Sequence, residues 1–115
     1  MMVTLGEIYW IDSQNAKSDI SHPYVIIDVT ESRITLCALT TNMKKVSIQG
    51  NILLHDGEAN LPKQSIVEVN KTITLTQSDL GEYIGTLSDK RIQQIQAGIR
   101  FVERSFYPKP KSVET

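Results

Sequence analysis

Residues 21–28, Ser-His-Pro-Tyr-Val-Ile-Ile-Asp, set an imidazole directly before a proline and an apolar, largely β-branched run. Pro23 biases His22 toward extended backbone and has no N–H to give to a ladder, so the pair marks where a loop becomes a strand. A side chain at such a junction is held firmly yet stays wet. Imidazole exchanges a proton near neutral pH, which makes His22 a candidate general acid or base; the alternative is a solvated ring packed on Pro23. His55, in Leu-Leu-His-Asp-Gly, reads as a surface turn residue. Cys37 is the one cysteine and lies within Leu-Cys-Ala-Leu, where a thiol serves as a small core hydrophobe. It allows no disulfide framework and no multi-cysteine metal site. With no Cys/His cluster and no close run of carboxylates to cage a divalent ion, neither metal nor other cofactor is expected.

The remaining polar residues have two readings each. Thr40 and Thr41, in Leu-Thr-Thr-Asn, can end a strand through side-chain-to-backbone bonds. Lys44 and Lys45 can be a charged strand start that discourages edge pairing, or a contact to a nucleic-acid backbone. Tyr9 and Trp10 offer stacking surface for a base, although strand alternation places Trp10 in the core. Asp89, Lys90 and Arg91 read as the solvated first turn of a helix.

The elements that must position these groups follow from the apolar pattern. Segments 6–12, 23–29, 33–39, 45–54 and 65–69 are short, rich in Val, Ile and Leu, and separated by polar breakers, so they are predicted strands. Thr-Glu-Ser at 30–32 suits a tight hairpin, and His-Asp-Gly-Glu-Ala-Asn-Leu-Pro-Lys a looser surface connection. From Leu87 the period lengthens: Ile92, Ile95, Ile99 and Val102 form the stripe of an amphipathic helix, capped by Ser88 and stapled by Leu87. Thr-Gln-Ser-Asp-Leu-Gly before it predicts a single-turn helix capped by Thr76. Pro108 and Pro110 then stop the chain from continuing as helix. The expectation is one domain over residues 1–105 with a tail at 106–115: mainly β, antiparallel, a small curled sheet or partly closed barrel with a C-terminal helix across it.

Composition narrows the function classes. The 115 residues are 40% hydrophobic and 22% charged with a formal net charge of −1, so contact with nucleic acid must come from a local basic cluster. No apolar run approaches the ~18 residues a membrane helix needs. The opening Met-Met-Val-Thr-Leu-Gly-Glu-Ile-Tyr-Trp has no basic segment followed by an apolar one. The chain is therefore expected in the cytoplasm, away from membranes.

Several stretches resemble the MazF/PemK (Kid) toxins of bacterial type II toxin–antitoxin systems. They are Gly6-Glu-Ile-Tyr-Trp-Ile-Asp12, His22-Pro-Tyr-Val-Ile-Ile-Asp-Val29, Leu39-Thr-Thr-Asn42, Asn60-Leu-Pro-Lys-Gln-Ser-Ile-Val-Glu-Val-Asn70 and Leu80-Gly-Glu-Tyr-Ile-Gly-Thr-Leu-Ser-Asp89 with the helix that follows. The likeness runs from about Gly6 to Phe101. It implies an SH3-like barrel, a homodimer, metal-independent endoribonuclease (mRNA interferase) activity on single-stranded RNA, and a cognate antitoxin whose acidic and apolar tail occludes the RNA groove. Thr40 matches the second catalytic position of the family. His22 stands where members usually carry arginine. Asn70 and Glu68 stand where Kid-like members place an aspartate and an arginine, and Ile73 replaces a further arginine. The loop at 13–21 is shorter than the family's, with Lys17, Ser18 and Asp19 preserving its polarity.

Cutting RNA by attack of its own 2′-hydroxyl needs a group to take that proton, a group to protonate the departing 5′-oxygen, and donors for the phosphoryl oxygens. The resemblance thus implies His22 as proton handler and Thr40 as hydroxyl donor. Lys17, Ser18, Thr41, Asn42, Lys44, Lys45 and Asn70 are the implied RNA contacts. The departures at 22, 68, 70 and 73 keep a second reading open, in which the chain is a catalytically impaired or CcdB-like toxin of the same fold that binds a protein target or only its antitoxin.

Overall fold

A computed structural model describes residues 3–106. Six strands form one antiparallel sheet: β1 (Glu7–Ile11), β2 (His22–Val29), β3 (Ile34–Thr40), β4 (Ile52–Leu53), β5 (Ile66–Leu75) and β6 (Tyr83–Thr86). Their spatial order is β4-β5-β3-β2-β1-β6. The described residues also form two α-helices, the four-residue α1 (Ser13–Ala16) and the long α2 (Asp89–Phe106). The expected curled antiparallel sheet with a C-terminal helix is what forms. The tail at 107–115, with its two prolines, lies outside the described residues.

Period-2 alternation gives this sheet two apolar faces rather than one. Ile8, Val25, Cys37, Leu39, Val67 and Val69 point to the face that α2 covers with Ile95, Ile99 and Val102. Ile11, Tyr24, Ile26, Ile34, Leu36 and Ala38 point to the opposite face, where Ala16 of α1 and Leu75 close a second, smaller cluster. The Thr30–Arg33 hairpin is tight as expected, with the Thr30 N–H on the Arg33 carbonyl at 2.9 Å. Helix α2 begins where expected: Ser88 Oγ accepts from Arg91 N at 3.3 Å. The turn before β6 is also present as expected, with Asp79 Oδ2 accepting from both the N–H and the hydroxyl of Thr76 at 3.0 Å.

The segment expected as a strand over 45–54 is mostly not one. A 3₁₀ turn occupies Met43–Ser47, and only Ile52 and Leu53 pair with β5. Local side chains compete with the ladder here. Asn42 Oδ1 takes the Lys44 N–H at 3.1 Å and Ser47 Oγ donates to the Lys44 carbonyl at 3.1 Å. Asn51 then stands in for a strand, accepting the Val69 N–H at 3.1 Å through Oδ1 and donating to the Lys45 carbonyl at 3.0 Å. Strand β5 runs six residues past the predicted end at Val69, and β6 and α1 were not anticipated. Asp12 caps α1 by accepting from Asn15 N at 2.8 Å.

Arg91 is not the solvated residue its sequence context implied. Its guanidinium forks onto Glu58, Nε to Oε2 at 2.9 Å and Nη2 to Oε1 at 3.0 Å, with only 15% and 18% of the two side chains exposed. This clamp ties the β4–β5 connection to α2. The connection also packs closely on β6, where a Cβ at Gly85 would lie 1.9 Å from the Ala59 carbonyl oxygen, so only glycine fits. Burial alone would raise the Glu58 pKa, but the Arg91 hydrogen bonds, the His55 N–H and the Arg91 charge together hold the carboxyl below the usual carboxylate range. A carboxyl held low stabilises the fold above its unfolded pKa, near ~4.3, and stops doing so as pH falls through the folded value. Arg91→Ala is therefore expected to cost about 1–3 kcal/mol at pH 7. Urea unfolding at pH 7 and pH 3 should show the gap between parent and variant narrowing in acid.

Candidate functional site

Cross-strand pairing sets Tyr24 of β2, Ala38 of β3 and Glu68 of β5 side by side in one row. Two residues along, alternation brings His22 and Thr40 to the same face at the ends of their strands. A register shift between Cys37 and Ala38 leaves residues 69–71 of β5 without partners on β3, and Asn70 and Lys71 bulge there. The left-handed turn at Lys17, φ 54°, ends α1 and lays Lys17 and Ser18 over the same face. Lys45 reaches in from the 3₁₀ turn. The result is an open cavity of about 430 Å³ lined by Lys17, Ser18, His22, Tyr24, Thr40, Lys45, Glu68, Asn70, Lys71 and Thr72 with Ala16, Ala38 and Ile73.

A second groove of about 280 Å³ lies across the same strand ends and shares His22 and Thr40 with the first. Its walls are more apolar: Trp10, Ile20, Pro23, Leu39, Leu61 and Pro62, with Ser21, Thr41, Lys63 and Ser65. Trp10 is thus a half-buried groove wall and not the core residue that alternation suggested. Both its backbone groups are engaged, N–H to Glu82 O at 2.9 Å and carbonyl from Gly81 N at 2.8 Å, which fixes the backbone at the rim.

Of the residues singled out from the sequence, six line the polar cavity together: Lys17, Ser18, His22, Thr40, Lys45 and Asn70. The His22 ring is held at Nε2 by a 3.1 Å hydrogen bond with Ser18 Oγ. Thr40 Oγ1 accepts the Asn42 N–H at 3.1 Å, which leaves its own proton free to donate. Thr41 lies in the apolar groove only. Asn42 is occupied in capping the 3₁₀ turn, and Lys44 is exposed and lines neither cavity. Tyr24, Lys71 and Thr72 were missed, and Glu68 was noted only as a departure from a family pattern. A charge within the alternating Ser-Ile-Val-Glu-Val run was the available signal for Glu68; the bulge that aims Lys71 leaves no trace in the apolar periodicity.

Three ammonium groups, an imidazole and three aliphatic hydroxyls, with the Glu68 carboxylate among them, line an open cavity that suits a phosphodiester: cations face its oxygens and the imidazole exchanges protons at its ester positions. The Tyr24 phenol is pushed up by burial, then by the neighbouring Glu68 and Cys37, so it stays a hydrogen-bond donor. Among the described residues no group of three or more His, Cys, Asp or Glu could hold a metal ion, and no helix is long and apolar enough to cross a membrane.

Comparisons with known proteins identify the family and the fold. Residues 4–102 match the model of a family described as PemK-like, MazF-like toxin of type II toxin–antitoxin system. Endoribonuclease MazF6 of Mycobacterium tuberculosis (strain ATCC 25618 / H37Rv) is 28% identical over 114 residues, covering 89% of this chain and 97% of that protein. Endoribonuclease MazF2 of Mycobacterium bovis matches with the same identity and coverage. Among solved structures, an endoribonuclease in complex with its cognate antitoxin from a mycobacterial species superposes with a TM-score of 0.72 at 18% identity, covering 94% of this chain and 99% of that one. Mycobacterium tuberculosis toxin MazF-mt6 gives 0.66 at 20% identity, covering 87% and 95%. These two likenesses establish the fold.

Cys37 lies directly behind this site without being part of it. Its side chain is fully buried on the α2 face, and Sγ donates to the Glu68 carbonyl at 3.0 Å. Burial, reinforced by the Glu68 charge, pushes the thiol up to about 12. A thiol-specific reagent such as Ellman's is expected to leave the native protein unmodified at pH 8 and to titrate one thiol in urea.

Proposed function

This chain belongs to the PemK-like, MazF-like toxin family of type II toxin–antitoxin systems, and we propose that it acts as an endoribonuclease that cuts single-stranded RNA without a metal ion. The observation that carries this reading is the position of His22 and Thr40. They are the two side chains common to the polar cavity and the apolar groove, so a strand crossing from one to the other passes its backbone over both. In that pose Lys17, Lys45 and Lys71 surround the phosphate, Thr40 donates its hydroxyl to a phosphoryl oxygen, and the apolar wall with Trp10 receives an unstacked base. A duplex cannot present a splayed base to such a wall, which favours single strands. The mycobacterial relatives named endoribonuclease support the same activity.

The partners in this reading are single-stranded RNA, a cognate antitoxin and a second copy of the chain, all in the cytoplasm. An antitoxin in complex with the structurally similar endoribonuclease supports the second of these. Met43 and Val46 of the 3₁₀ turn and Leu53 of the edge strand β4 are exposed apolar side chains that pairing between copies would cover. Light scattering at micromolar concentration is expected to give a dimer; a monomer would count against the two-chain assembly.

The site itself is tested by cleavage of a mixed-sequence single-stranded RNA. Activity should persist in EDTA. His22→Ala is expected to lower the rate by roughly 10²- to 10⁴-fold and Thr40→Ala by about 10²-fold, with thermal unfolding little changed. Loss of all cleavage in EDTA with recovery in magnesium would overturn the metal-free chemistry. If the parent cuts no RNA and His22→Arg switches cleavage on, the chain is the impaired, protein-binding relative.

A further inference from the structure

Glu68 differs from the half-buried Glu58. Glu58 accepts three hydrogen bonds, two from Arg91 and one from the His55 N–H, and is a structural clamp. Glu68 is only 5% exposed, yet among the described residues no group donates a hydrogen bond to its carboxylate; its one partner is Lys71 Nζ at 3.7 Å. Among the described residues no side-chain oxygen sealed from solvent lacks a hydrogen bond. The Glu68 oxygens must therefore open into the polar cavity they line. A carboxylate that lines an open cavity with no hydrogen-bonding protein partner keeps its lone pairs available to a group that enters there.

We propose that Glu68 takes the proton from the attacking 2′-hydroxyl, while His22 protonates the departing 5′-oxygen. The inference rests on the endoribonuclease reading above. Displacement at phosphorus needs an acceptor and a donor on opposite sides, and one imidazole cannot be both in a single step. Lysine ammonium groups have no lone pair, and Asn70 is an amide; the phenol of Tyr24 holds its proton. Glu68 is the remaining acceptor facing the cavity. It lies two strands over and one row along from His22, which from strand spacings puts their Cα atoms roughly 12 Å apart, enough for a phosphodiester between the two side chains. Ala38, the residue between Tyr24 and Glu68 in the row, is too small to fill that space.

In the step, the 2′-O–H bond breaks toward Glu68, the 2′-oxygen bonds to phosphorus, the P–O5′ bond breaks, and the 5′-oxygen takes the His22 proton. The products are a 2′,3′-cyclic phosphate and a 5′-hydroxyl. Glu68 ends protonated and His22 neutral, and the surrounding water resets both.

The test uses an RNA oligonucleotide carrying the mapped cleavage site, and a second with sulfur in place of the bridging 5′-oxygen there. A thiolate leaves without a proton, so it removes the need for the acid and not for the base. Glu68→Gln is expected to lose roughly 10²- to 10⁴-fold on both substrates, whereas His22→Ala should lose as much on the oxygen substrate and recover most of it on the sulfur one. Glu68→Gln cutting within about threefold of the parent would overturn the proposal. So would recovery of Glu68→Gln on sulfur, which would make Glu68 the acid. If Glu68→Gln fails to fold, Glu68→Asp, which retains a carboxylate, should keep the same substrate pattern with a smaller loss; an equal rate deficit that disappears on sulfur would again overturn it. A parent inactive on every RNA would defeat the endoribonuclease reading itself, a result distinct from an active parent indifferent to Glu68.

Discussion

The pairing of β3 with β2 on one side and β5 on the other is the constraint on which this molecule depends. Because side chains alternate along each strand and partners share a face, the register commits every residue of the central three strands to one side. Val25, Cys37, Val67 and Val69 thereby meet α2, and Tyr24, Ala38 and Glu68 meet the cavity. A slip of one residue would exchange the two sets, burying Glu68 under the helix and exposing four core side chains. The packed helix face thus holds the site in register without touching it.

Departures from regular pairing do the rest of the positioning. If β5 continued along β3 without interruption, Asn70 and Lys71 would be absorbed into the ladder; the shift between Cys37 and Ala38 turns them toward the cavity instead. Asn51 takes up the Val69 N–H that this arrangement leaves over. The 3₁₀ turn that replaces a fuller fourth strand is likewise what carries Lys45 to the rim. Irregular backbone here supplies the cations of the site, and regular backbone supplies His22, Thr40 and Glu68.

Glu58 and Glu68 show how one residue type is given different work by its surroundings. Glu58 is saturated with donors and joins a loop to a helix; Glu68 has one loose cation and an open cavity. Membership of the toxin family accounts for the fold; within it His22 of β2, Thr40 of β3 and a carboxylate of β5 line one cavity.

What was legible in the sequence was what depends on neighbours along the chain. Apolar periodicity marked β1, β2, β3, the start of β5 and the helix α2, and the Ser88 and Thr76 caps were readable because a cap is a bond between residues three apart. His22 stood out through Pro23, its immediate neighbour. Tertiary structure alone decided what depends on residues far apart. The strand expected at 45–54 gave way to Asn and Ser side chains bonding local backbone and to Asn51 reaching Val69. Arg91 found Glu58, 33 residues earlier, where helix position alone suggested solvent. The meeting of His22, Thr40 and Glu68 in one cavity likewise required three strands to pair, since a sequence states each strand's alternation but not which phase of one will face which phase of another.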